Sequence, residues 1–224
     1  MNSYMVKKLF LKDWYLVRYN IYGCTLMGFI GLFMFLLGGF YGAYLGAVTL
    51  DIAIIILMTA VFMPVIINER KEQTLAFLMS LPVGNLEYTM AKTLVGLGGY
   101  ICTWLLLYLA AIAVLLIRID LNPNIIPYFS MMYGLALMFY CLIFAVAVVT
   151  ESERWSMLVF GIGNITIQVS LGLGLTYAGF RESVSAYTML WNKPILTVLA
   201  IELVVIVVSI TAMFYLQLRK KDFL

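Results

Sequence analysis

Six stretches of the chain are long and apolar enough to cross a lipid bilayer, at about 21–40, 47–67, 89–117, 128–149, 157–177 and 195–216. A hydrocarbon core about 30 Å thick takes about 20 helical residues to cross. Within it, each backbone N–H and C=O must find its partner inside the protein, and a single run achieves this as a helix. The pattern restricts the chain to an all-α membrane protein with six transmembrane helices. The third run is longer than a bilayer requires, so it tilts or projects into water. Composition agrees. Of 224 residues, 64% are apolar and 11% charged, against about half and about a quarter in soluble domains.

The fourteen Lys and Arg residues set the orientation. Lys7, Lys8, Lys12, Arg18, Arg70, Lys71, Lys92, Arg154, Arg219, Lys220 and Lys221 fall on one side of the alternating spans, and Arg118, Arg181 and Lys193 on the other. Eleven against three puts both termini in the cytoplasm under the positive-inside rule, with the protein multi-pass in the cell (plasma) membrane. The net charge of +3 is too small to indicate nucleic acid. Cys24, Cys102 and Cys141 lie inside apolar runs without metal-ligand spacing, and read as small packing residues.

Three connections carry more than a turn. Residues 1–18 read as an interfacial amphipathic helix, with Tyr4, Leu9, Phe10, Trp14 and Val17 toward lipid and lysines toward water. No small-residue cleavage site follows the first run, so it reads as a permanent span. Residues 178–194, on the outer side, are too short to span yet carry Tyr187, Met189, Leu190 and Trp191, and read as a re-entrant or interfacial segment. Pro194 suits the first turn of the last span.

The remaining connection, "INERKEQTLAFLMSLPVGNLEYTMAK" at 67–92, holds six charges between two apolar runs. Thr74, Leu75, Phe77, Leu78 and Leu81 recur at roughly helical spacing and predict a short amphipathic helix over 69–81. Pro82 ends it, and Val83-Gly84-Asn85 makes a turn. Asn85 is the expected N-cap of the next span, with Glu87 in its first turn. A helix with one apolar face must bury that face, and a cytoplasmic protein is one candidate.

This stretch resembles the permease subunits of ATP-binding cassette (ABC) transporters, in the class-two group also called type V exporters. Their usual run is acid–basic–x–x–Gly–Thr–Leu–Glu–x–Leu–Leu–x–x–Pro–Val–Ser–Arg, followed by a long span opening with Gly-Lys or Ala-Lys. The chain has Glu69, Arg70, Thr74, Leu75, Leu78, Pro82 and Val83 in register, then Ala91-Lys92. Gln73 stands at the family's glycine, Ala76 at its second acid, and Gly84-Asn85 at its Ser-Arg. These departures put individual polar contacts in doubt rather than the shape.

The resemblance implies a single transmembrane permease domain over 1–224, with 69–81 as a coupling helix docked on a separate ATPase subunit. Glu69, Arg70 and Glu72 would make polar contacts there, and Thr74, Phe77 and Leu78 would pack. Glu151, Glu153 and Arg154 offer either a second contact or a solvated turn. The implied assembly has two cytoplasmic ABC ATPase subunits beneath two permease chains, identical or related, in membrane lipid. The implied activity is export of an amphipathic peptide, drug or lipid. The chain has no G-x-x-x-x-G-K-[ST] loop, so ATP and Mg would sit on the partner. It has no histidine and no paired carboxylates, so no catalytic or metal-binding residue is assigned and no cofactor is expected in this chain.

Asp51 and Glu202 are acids within expected spans, Asp51 about one turn from the outer end. Each either reaches the interface or an aqueous vestibule, or serves function. Gly161, Asn164, Gln168 and Gly172 form a small polar stripe in the fifth run, which suits a subunit interface, a substrate path or packing within one subunit. Asn164, Gln168 and Glu202 are thus the candidates for a translocation path or interface. Two alternatives stay open. An ion-coupled secondary transporter would use Asp51 or Glu202 as carrier, and a non-transporting immunity or sensor protein would bind ligand without flux.

Overall fold

The computed structural model describes residues 3–37, 39–67, 84–118, 125–150, 152–174 and 191–219. Helix α1 (Ser3–Leu36) runs unbroken for 34 residues. No Gly or Pro precedes Gly23, so nothing interrupts the basic segment before it joins the apolar one. The expected boundary between an interfacial helix at 1–18 and a span from 21 is therefore no break in the chain. Val6, Leu9, Asp13, Val17, Ile21, Cys24, Gly28 and Leu32 are buried, a three-and-four spacing that makes one continuous stripe. Leu9 and Val17, expected against lipid, lie on that stripe and face protein. Tyr4 is exposed, and Phe10 stacks on Trp14 at the edge of the core.

The chain reverses at Leu37, earlier than the 41–46 connection implied by hydropathy. Gly39 opens α2 (Gly39–Phe62) with φ of 73°, a left-handed conformation that glycine adopts without a Cβ clash. The hairpin then closes backbone to backbone. A Cβ on Gly46 would stand 2.7 Å from both the Gly31 carbonyl oxygen and the Phe35 backbone nitrogen. In lipid no hydrophobic drive brings helices together, so such close approach between small residues matters. α2 ends in a π turn (Met63–Ile67) around Pro64. Proline has no N–H for the helical ladder, and a widened turn accommodates it.

α3 (Asn85–Thr93), a second π turn (Leu94–Gly98) and α4 (Gly99–Ile117) form one rod. Gly96 in that turn is a socket. Its carbonyl accepts the Tyr140 hydroxyl at 2.9 Å, and the Phe144 ring fills the place of its side chain. α5 (Ile125–Thr150), α6 (Glu153–Gly174) and α7 (Lys193–Arg219) follow. Pro194 lies in the first turn of α7, as expected.

The α1–α2 hairpin packs on the α3–α4 rod. α5 joins this half to the other, touching α2 and α4 on one side and α6 and α7 on the other. The principal core gathers Val17, Phe62, Val65, Tyr100, Tyr140 and Phe144 in the half nearer the N-terminus of α1. A second cluster, with Leu32, Leu50, Leu107 and Tyr133, fills the other half. There the Arg118 guanidinium donates to the Phe35 carbonyl at the end of α1, where a cation suits the negative pole of the helix.

Among the described residues, five helices are long and apolar enough to cross a membrane: Ser3–Leu36, Tyr44–Ile67, Glu87–Ile117, Ile125–Thr150 and Lys193–Arg219. The chain is thus an all-helical, multi-pass membrane protein. The run expected at 157–177 is also helical, as α6, but falls outside those five. Its described part is diluted by Asn164, Thr166 and Gln168.

The hairpin contact predicts opposite responses to the same substitution. Gly46→Ala should lower the thermal midpoint in mild detergent, because its methyl meets backbone that cannot move. Gly23→Ala, with nothing within 4 Å, should hold or raise it through helix propensity, worth about 1 kcal/mol. Equal behaviour of the two variants in a melting assay would exclude the close approach.

Candidate functional site at the charged end of the bundle

The two roots of segment 68–83 come together against the first half of α1. One root is the π turn at the end of α2, where Val65, Ile66 and Ile67 are fully buried. The other is the start of α3. Gly84 is its N-cap, with φ −78° and ψ 153°. Glu87 is its third residue and accepts the Gly84 N–H at 3.3 Å. Asn85, expected as the cap, is instead the first helical residue. The helix begins one residue earlier because the Glu87 carboxylate reaches back to satisfy a free donor.

Lys92 lies at the centre of this end and is 2% exposed, against 1% for Asp13. Its Nζ stands 2.8 Å from Asp13 Oδ2 and donates to the Val65 carbonyl at 2.8 Å. The Tyr88 ring lies 5.4 Å from the same ammonium, and Lys12 approaches the other Asp13 oxygen at 3.4 Å. One side chain of α3 therefore holds both α1 and the last turn of α2. The Val65 carbonyl belongs to a helix end whose acceptors lack intrahelical donors, so the contact also satisfies a buried polar group. Val6 and Leu9 of α1 close over Ala91 and Tyr88 alongside it.

The buried ion pair joins the first half of α1, the end of α2 and the start of α3. Among the described residues no group of acids and cysteines is placed to hold a metal. Lys92 thus ties the start of α3 to α1 and to the last turn of α2.

A family model described as ABC-2 family transporter protein matches residues 8–220. The chain belongs to the ABC-2 transporter family. It has a permease role in the membrane, in a family whose permeases typically pair with ATPase subunits. No curated protein and no solved structure matches it.

On this permease the expected ATPase contacts Glu69, Arg70, Glu72, Thr74, Phe77 and Leu78 lie outside the described residues, as does Glu151. Glu153 opens α6, and Arg154 next to it is exposed. In the membrane, the Asn164 amide donates to the Phe160 carbonyl of its own helix at 2.9 Å, while Gln168 is exposed. Gly161 has open space where a side chain would stand, whereas Gly163 packs on Ile143. The small polar stripe of α6 thus points away from α5. Glu202 is brought to neither amide. It is 3% exposed and presses on Gly134 of α5, where a Cβ would overlap its Oε2. Neither of its oxygens has a hydrogen-bond partner among the described residues.

Sequence reasoning missed Asp13, and placed Lys92 at the cytoplasmic end of the third span without naming a partner. A usable signal existed. Asp13 lies four residues from both Leu9 and Val17, so it is an acid on an apolar stripe and needs a buried cation.

Lys92→Met should destabilise the permease by about 3–5 kcal/mol, because it leaves Asp13 buried without its principal counter-charge. Adding Asp13→Leu should recover part of that loss. Unfolding in mild detergent tests both, and a Lys92→Met variant as stable as the parent would disprove the dependence.

Proposed function

We propose that this permease is the membrane half of an ATP-driven exporter. Two copies, or this chain and a related one, form the pathway, and two cytoplasmic ATPase subunits bind segment 69–81 of each permease chain. The chain itself hydrolyses nothing, and ATP and Mg belong to the partner. The observation that carries this reading is the Lys92 clamp. It joins both roots of the proposed coupling segment to α1 and α2, so a push from a closing ATPase dimer reaches two spans at once instead of being lost in a loop.

On this reading Glu69, Arg70 and Glu72 contact the ATPase surface and Thr74, Phe77 and Leu78 fill its groove, with Glu151, Glu153 and Arg154 as a lesser contact. The charge bias of eleven against three favours this end, and both termini, on the cytoplasmic side of the plasma membrane. Cargo is amphipathic: a peptide, a drug or a lipid.

The outward stripe of α6 supports pairing of two permease chains. An amide such as Gln168 turned to hydrocarbon is costly, and a second helix that offers polar groups and tolerates close approach relieves that cost. Glu202, buried without a hydrogen-bond partner among the described residues, is the observation that favours ion coupling instead. That alternative requires transport that survives ATP depletion and collapses with the ion gradient.

Two experiments bear on the assembly. Phe77→Asp with Leu78→Asp should abolish co-purification with a soluble phosphate-loop ATPase while membrane insertion persists, and undiminished ATPase binding would remove the docking face. Gly161→Cys, in a background lacking the three native cysteines, should give oxidatively cross-linked dimers in native membranes. Monomers alone under conditions that cross-link a positive control would move the interface off α6.

A further inference from the structure

A cavity of about 30 Å3 lies between α2, α5 and α6, lined by Asp51 and Ile55 of α2, Met132, Tyr133 and Ala136 of α5, and Ile167 of α6. The mechanical scheme above makes no use of it. Asp51 is half-buried and makes no ion pair among the described residues. It is twelve residues along α2 from the Gly39 turn, about 18 Å of helix. It is seven residues, about two helical turns, from Tyr44, the first residue of the apolar span. Tyr133 is 3% exposed, and its hydroxyl has no hydrogen-bond partner among the described residues.

The Tyr133 ring is held in place. It lies 4.3 Å from the Phe129 ring, 5.6 Å from Tyr108 and 6.1 Å from Trp104. The Trp104 indole N–H donates to the Tyr133 carbonyl at 3.1 Å, and the Tyr108 and Ser130 hydroxyls are 2.8 Å apart. Three rings thus pack on the Tyr133 side chain that lines the cavity. The cavity therefore presents the Asp51 carboxylate between walls that are otherwise apolar.

A carboxylate inside a membrane calls for a cation. A cavity of about 30 Å3 has room for a small headgroup such as a primary ammonium. The half-buried Ile55 and Met132 offer apolar surface for the first carbons of a chain attached to it. We propose that the Asp51 cavity binds the primary ammonium head of a cationic amphiphile, with Asp51 as counter-ion. This deepens the export reading by naming the charge carried by the cargo, and rests on that reading only for the ligand's being cargo.

The test uses the purified full chain in lipid nanodiscs without any ATPase, so its failure is distinct from failure of the export reading. Dodecylammonium and its neutral counterpart dodecanol are titrated against Trp fluorescence and thermal shift, with sodium and potassium chloride as separate probes. Dodecylammonium should bind saturably, and Asp51→Asn should weaken it by about tenfold or more, the loss of one charge-assisted contact. Tyr133→Phe should leave that affinity unchanged, because the hydroxyl is sealed from the cavity, and dodecanol should not distinguish the three proteins. Equal dodecylammonium affinity in the parent and Asp51→Asn would overturn the site. So would saturable binding of dodecanol at the same affinity, or protection by sodium or potassium alone.

Discussion

The contact between Lys92 and Asp13 decides how the charged end of this permease is built. Both groups are buried among Val6, Leu9, Ala91 and the π turn at the end of α2. Taking either charge out of water alone is costly, and only a close partner with further hydrogen bonds offsets that cost. The Val65 carbonyl supplies the further bond. Once the pair forms, α1, the end of α2 and the start of α3 cannot move independently. α1 therefore continues as one helix to Ser3 instead of lying apart on the membrane surface.

The rest of the bundle solves a different problem. Its side chains are so uniformly apolar that hydrophobicity distinguishes one packing from another only weakly, and lipid competes for each contact. Specificity comes from shape and from buried polar bonds. Gly31 and Gly46 let two backbones meet, Gly96 admits Phe144, and Gly134 receives Glu202. Tyr140 bonds the Gly96 carbonyl, and Gln217 donates to the Val148 carbonyl at 2.7 Å. At the opposite end from Lys92, Arg118 donates to the Phe35 carbonyl at the end of α1. Cations on one rod thus secure the hairpin at both ends, one by an ion pair and one by a helix-end acceptor.

Much of this was legible in advance because hydrocarbon imposes harsh rules. Runs of about twenty apolar residues must be helices, and the stop at Pro82 with the acid at Glu87 marks the start of α3 within a residue. What misled was the treatment of local features in isolation. The lysines and aromatic residues of 1–18 resemble an interfacial helix. The buried stripe through Leu9, Asp13 and Val17 shows that the same residues continue the inner face of a span. The candidate site divides in the same way. The amphipathic pattern of 69–81 is readable from spacing, but Asp13 and Lys92 are 79 positions apart, and no local pattern joins them.

The sequence by itself determined the solvent, the helical class, the charge asymmetry between the two ends, and membership of a permease family. Each of these depends on composition or on spacing within one element. Only the tertiary structure decided which polar groups are buried and what they meet. It set Lys92 against Asp13, turned Gly161 and Gln168 outward, pressed Glu202 on Gly134, and brought Asp51 beside Tyr133. The reason is geometric. Helix-forming rules act over a few residues, whereas the fate of a buried charge depends on side chains delivered by other helices, at distances along the chain to which those rules do not extend.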